Sequence, residues 1–104
     1  MVTELNSQNF EETTKSGYAV IDFWAPWCGP CKVMAPTFEA TGVKFKDTAA
    51  FGKVNVDDNR ELAMKYGIQS IPTILVLKDG KEVERLMGAM DEATFTQKLQ
   101  SVMQ

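Results

Sequence analysis

Histidine is missing altogether from the 104 residues, and cysteine occurs only twice, at Cys28 and Cys31. The first absence removes imidazole as a base or acid and with it the common histidine-containing zinc sites. The second means that two thiolates cannot complete a four-ligand zinc or iron–sulfur site within one chain. An excess of positive charge is missing too: eleven Lys and Arg face fourteen Asp and Glu, for a net charge of −3. That balance argues against sequence-independent binding to nucleic acid or to anionic lipid. The longest apolar runs, Tyr18 to Ile21 and Ile74 to Leu77, are too short to cross a bilayer. The opening Met1-Val2-Thr3-Glu4 has neither the basic start nor the apolar stretch of a leader. A cytoplasmic, reducing setting is therefore expected, where an isolated cysteine pair is catalytic or metal-binding rather than a structural staple. No repeat or linker divides the chain, which predicts one domain over 1–104.

What is present reads as alternating elements. Asn6 or Ser7 is placed to cap a short first helix ending at Lys15-Ser16-Gly17. Tyr18 to Trp24 is a nearly continuous apolar, aromatic and β-branched run, the pattern of a strand buried on both faces. The cysteine segment then leads into a helix whose Met34, Phe38, Thr41 and Phe45 share one face. Ala50 to Val56 is a second strand, followed by a helix capped by Asn59 and stopped at Gly67. Thr73 to Leu77 is a third strand, Asp79-Gly80 a hairpin turn, and Lys81 to Leu86 a half-solvated strand. Asp91 caps a last helix with Phe95, Leu99, Val102 and Met103 along one stripe. The order predicts an α/β protein: a mixed parallel and antiparallel sheet with helices on both faces.

The chemistry concentrates in Trp27-Cys28-Gly29-Pro30-Cys31. Residues three apart in a first helical turn lie roughly 5–6 Å from each other, within reach of a disulfide after small adjustment. Gly29 permits a tight approach, and Pro30 suits a first turn, where a missing N–H is harmless. At the helix N-terminus, unpaired N–H groups and the macrodipole stabilise a Cys28 thiolate, the species that attacks disulfides. Cys31, one turn on, is placed to resolve the mixed disulfide. Asp22 interrupts the apolar run before the cysteines, so desolvation should raise its pKa and make it a proton acceptor and donor near neutrality. Lys53, in the next strand, is its candidate partner; the plainer alternatives are a satisfied structural carboxylate and a lysine that snorkels to solvent. Ile71-Pro72 precedes a buried strand, yet only about 5–6% of X–Pro bonds in folded proteins are cis, so the residues alone favour trans.

Together Asp22-Phe23-Trp24-Ala25-Pro26-Trp27-Cys28-Gly29-Pro30-Cys31-Lys32, Pro36, Lys53, Ile71-Pro72-Thr73 and Gly88-Ala89 make the chain resemble the thioredoxin family over essentially its whole length. The resemblance implies a general protein-disulfide reductase with Cys28 as exposed nucleophile and Cys31 as buried resolving thiol. It implies that Asp22, assisted by Lys53, manages the Cys31 proton through a buried water, and that Pro72 is cis and faces the cysteines. It further implies that an extended client segment lies along the Ile71 backbone, with Trp27, Gly29, Pro30, Pro72, Gly88 and Ala89 as a flat apolar rim. Disulfide-containing clients, a thioredoxin reductase as electron donor, a monomeric state and no cofactor belong to the same expectation.

Some positions depart from that family's pattern. Thr37, Thr41 and Gly42 lie in the cysteine helix, and the weak propensity of Thr41-Gly42-Val43 predicts fraying or loosened packing there. Ser70 stands where glycine is common, and narrows the expected rim. Pro36 should kink the same helix. Trp24 reads as packing beneath the active loop, the methionines as core or rim filler, and Asp57, Asp58 and Glu61 as capping and solvated charge. Competing functions are a non-catalytic interaction module using the rim, a metal bridge between two chains, and an oxidant or isomerase built on the same dithiol.

Overall fold

The computed structural model describes residues 2–104. Its elements run β1 (Val2–Glu4), α1 (Phe10–Thr14), β2 (Tyr18–Trp24), α2 (Gly29–Lys44), β3 (Ala49–Asn55), α3 (Arg60–Lys65), β4 (Thr73–Lys78), β5 (Lys81–Met87) and α4 (Glu92–Val102). The sheet order is β1-β3-β2-β4-β5. β1, β3 and β2 are parallel, whereas β4 runs antiparallel to both β2 and β5. The expected mixed sheet is thus present, with β2 at its centre.

Alternation along the strands divides the core in two. On one face Val20, Phe51, Ile74 and Val76 meet Met34 and Phe38 of α2 and Phe95 and Leu99 of α4. On the other, Ile21, Phe23, Leu75 and Leu77 meet Phe10 of α1 and Leu62 of α3. Phe38 is the centre of the first layer, with ring centroids 5.3 Å from Phe51 and 6.1 Å from Phe95. No helix among the described residues is long and apolar enough to cross a membrane.

Several expectations need correction. β1 was not anticipated: three residues show no alternation, and they form a strand only because β3 offers an edge, with Val2 opposite Phe51. α1 begins at Phe10 rather than after Asn6 or Ser7. The Asn6 carboxamide oxygen instead accepts the N–H groups of Gln8 and Asn9, closing a turn before the helix. α2 does not fray at Thr41-Gly42 but continues to Lys44. Thr41 is fully buried and donates its hydroxyl to the Thr37 carbonyl at 2.7 Å. A Cβ on Gly42 would stand 3.4 Å from both the Phe51 ring and Val2 Cγ2. Close approach of the helix to β1 and β3 therefore outweighs the weak intrinsic propensity. Asn59 borders α3 without a capping bond, its amide donating to the Asn55 carbonyl at 3.0 Å.

The far end of the sheet follows the sequence closely. Asp79 and Gly80 take φ values of 52° and 83°, as a two-residue hairpin turn with a left-handed backbone requires. Asp91 accepts the Thr94 N–H at 2.8 Å and caps α4.

Candidate active site

The site forms where β2 ends and α2 begins. β2 is fixed on both sides by strand pairing, so its C-terminal end delivers Ala25, Pro26 and Trp27 to a constant place. Cys28 is the N-cap of α2, with extended backbone (φ −89°, ψ 112°), and Pro30 occupies the first turn. The Cys31 N–H donates to Cys28 Sγ at 3.2 Å. A helix-terminal donor thus meets the sulfur, the arrangement that favours a thiolate once the pair is reduced. Cys28 and Cys31 are joined as a disulfide, their Cα atoms 5.2 Å apart.

Cys28 was expected to be exposed, but only 5% of it is, against 3% of Cys31. Ala25 packs with both sulfurs, and Trp24, Val56 and Ile71 close around them. Amount of exposed surface therefore does not distinguish the two cysteines.

Beneath the pair lies Asp22, 4% exposed and opposite Lys53 in the parallel register of β2 and β3. Burial pushes its pKa from 3.8 up to about 7, with the Lys53 charge pulling in the opposite direction. Desolvation wins because the ammonium is not bonded to the carboxylate: Lys53 Nζ sits 4.7 Å from the Trp24 ring centroid, a cation–π placement. Asp22 Oδ1 and Trp24 Nε1 are both buried without a hydrogen-bond partner among the described residues. Asp22, Lys53 and Cys31 line one cleft of about 230 Å³ together with Trp24, Pro26 and Lys32.

The third segment arrives at the N-terminal end of β4. The Ile71-Pro72 bond is cis, and the Ile71 carbonyl oxygen lies 3.8 Å from Cys28 Sγ. Gly88, at φ 90°, donates its N–H to the Pro72 carbonyl at 2.9 Å and so brings Gly88-Ala89 alongside. Trp27 is 68% exposed, Gly29, Pro30 and Ala89 are exposed, and Ile71 and Gly88 are half-buried. Pro72 is buried, so it lies under the expected rim and not on its surface.

One contact escaped the sequence: Trp27 Nε1 donates to Asp57 Oδ2 at 2.9 Å. Asp57 lies two residues beyond the end of β3, and β3 runs parallel to β2, so both strands finish beside the cysteines. That parallel pairing was the available signal, but a solvated charge was the simpler expectation for an acidic pair before a helix.

Because the one cysteine pair closes at a helix N-cap over a buried carboxylate, it can form and break its disulfide by thiol exchange, which makes the chain a thiol–disulfide oxidoreductase. The comparisons agree. The thioredoxin family model matches residues 1–101. The chain is 47% identical over 87 residues to a thioredoxin of Bacillus subtilis, covering 84% of each chain. It is 41% identical over 98 residues to thioredoxin 2 of Chlorobaculum tepidum, covering 92% of this chain and 90% of the relative. The crystal structure of Malassezia sympodialis thioredoxin (Mala s 13) superposes with a TM-score of 0.91 at 32% identity, over 100% of this chain and 92% of that one. The chain belongs to the thioredoxin family, and its activity is that of a thiol–disulfide reductase.

Proposed function

We propose that the chain acts as a general reductant of protein disulfides, with Cys28 as nucleophile and Cys31 as resolving thiol. The observation that carries this division is the Cys31 N–H on Cys28 Sγ at the helix N-cap. In the reduced protein, the Cys28 thiolate attacks one sulfur of the client disulfide. A Cys28–client bond forms as the client S–S bond breaks, and the other client sulfur leaves as a thiolate. Cys31 then attacks Cys28 Sγ, re-forming the intramolecular disulfide and releasing the second client thiol. The two electrons given to the client are those lost by the dithiol.

Asp22 is the acceptor for the Cys31 proton in this scheme. Its pKa of about 7 suits that task near neutral pH, and it shares a cleft with Cys31. Lys53 limits how far burial raises that pKa. Client segments lie extended along Ile71, their backbone bonding as an added strand, while Trp27, Gly29, Pro30, Gly88 and Ala89 supply an apolar rim over buried Pro72. Breadth of clients follows, because backbone bonding and a flat rim demand little of side chains. Electrons return from a thioredoxin reductase to a single-domain monomer over 1–104 working in the cytoplasm.

The test is reduction of a model protein disulfide with excess dithiol. Cys28→Ser should abolish catalysis, and Cys31→Ser should accumulate the mixed disulfide. Equal rates for wild type and Cys28→Ser would overturn the assignment. Asp22→Asn should slow resolution more than initial attack, and equal slowing of both steps would remove Asp22 from the role.

A further inference from the structure

Arg85 lies on the edge strand, away from the sulfurs, yet it makes four hydrogen bonds. Its Nε and Nη2 donate to the two Glu82 carboxylate oxygens at 2.8 and 2.9 Å. Nη2 also donates to the Tyr66 carbonyl at 2.5 Å, and Nη1 to the Gly67 carbonyl at 3.2 Å. The guanidinium is a rigid fork, so holding two oxygens on one side directs the remaining donors to the other.

Residues three apart in a regular strand point to opposite faces. Glu82 and Arg85 share a face because β5 carries a bulge: Glu82 pairs with Leu77, Glu84 with Val76 and Arg85 with Leu75, leaving Val83 as the extra residue. Leu77 and Leu75 belong to one core face, so the bulge re-aims Glu82 to the side where Arg85 stands.

The carbonyls that Arg85 takes belong to the end of α3. The Gly67 N–H reaches the Met64 carbonyl and the Ile68 N–H the Ala63 carbonyl, with Gly67 left-handed at φ 63°. That closes the helix in a Schellman motif. Tyr66 and Gly67 then present their own carbonyls outward, at the negative end of the helix dipole, and the guanidinium covers them. Ile71 follows four residues after Gly67. Between them, Ile68, Gln69 and Ser70 line with Ile71 and Trp27 a cleft of about 180 Å³ beside the disulfide. The other end of this span is held by Thr73, paired with Phe23, and by the Gly88 N–H on Pro72.

We infer that Arg85, locked by Glu82 across the bulge, is a positioning residue for client docking: it fixes the end of α3 and thereby the backbone of 68–71 along which a client's extended segment aligns. The inference rests on the docking role proposed for Ile71. With Arg85 gone, the α3 end of the span keeps only its own two backbone bonds and the packing of Ile68, without the link to β5. If it then holds the docking backbone a tenth of the time, KM for a protein client rises about tenfold.

The experiment compares wild type, Arg85→Ala, Arg85→Lys and Trp27→Ala. Each is assayed with a protein disulfide and with a small aromatic disulfide, and amide hydrogen exchange is followed at 68–71. Arg85→Ala should raise KM for the protein about tenfold, leave kcat and the small-disulfide rate unchanged, and speed exchange at 68–71. Arg85→Lys, which keeps the charge at the helix end but not the fork, should fall between. Equal losses on both substrates mean general destabilisation and overturn the inference. Unchanged KM and exchange in Arg85→Ala, with a raised protein KM in Trp27→Ala, overturn the clamp but spare the docking role. Faster exchange with unchanged protein KM in both Arg85→Ala and Trp27→Ala overturns the docking role itself, and the inference with it.

Discussion

Replacing Asp22 with asparagine removes one ionisation while keeping the side chain's shape. The folded protein holds the Asp22 proton up to about pH 7, whereas an ordinary aspartate releases it near 3.8. Between those values the native state binds more protons than the unfolded chain, so stability falls as pH rises. Each pH unit of that difference is worth about 1.4 kcal/mol. The cost of the wild-type carboxyl to the fold is therefore almost nothing below about pH 3.5 and about 4 kcal/mol near pH 8.5. Asparagine brings a cost of its own, an imperfectly satisfied buried amide, but that cost does not vary with pH. Glu82 and Asp91, whose pKa values are lowered by Arg85 and Thr94, titrate alike in both proteins and cancel. The assay is urea unfolding of the oxidised proteins from about pH 3.5 to about pH 8.5. The advantage of Asp22→Asn should grow by about 3 kcal/mol between pH 5 and pH 8.5. Parallel stability curves across that interval would show that Asp22 titrates as a surface carboxylate and would refute the argument from burial.

Lys53→Met keeps a long apolar stem over Trp24 but removes the charge that favours ionised Asp22. The Asp22 midpoint should move above its wild-type value, as read from the carboxyl carbon chemical shift; an unchanged midpoint would show that the two groups do not interact. Phe38→Ala should cost about 3–5 kcal/mol in urea unfolding, because the side chain is 1% exposed between Phe51 and Phe95. A loss below about 1 kcal/mol would mean that the layer between α2 and the sheet is not close-packed.

Much of this architecture was legible because residue chemistry and local structure agree. The two-sided burial of β2 follows from Tyr18 to Trp24, and the cap of α4 from Asp91. The left-handed turn follows from Asp79-Gly80. At the site, the helix-terminal dithiol and the raised pKa of Asp22 were both readable from position. What stayed hidden depends on partners distant in sequence. β1 exists through its register with β3, and α2 survives Thr41-Gly42 through packing against Phe51 and Val2. The Trp27–Asp57 bond crosses 30 residues, and the fork at Arg85 depends on a bulge that period-two reasoning does not anticipate. Low exposure of Cys28 is of the same kind, since Val56 and Ile71 come from other strands' ends.

Cys28 and Cys31 form the one disulfide, and no cysteine among the described residues is free. Oxidation and folding therefore make a closed four-cornered cycle: folded or unfolded, dithiol or disulfide. Round that cycle, the difference in unfolding free energy between the two forms equals the displacement of the folded couple's potential from that of the unfolded chain. About 1.4 kcal/mol corresponds to about 30 mV. If the disulfide form is the more stable, the folded protein is the stronger reductant by that amount. Two denaturation curves, one for each form, consequently serve as a potentiometer. A substitution that favours either form moves the melting behaviour and the electron-donating power together.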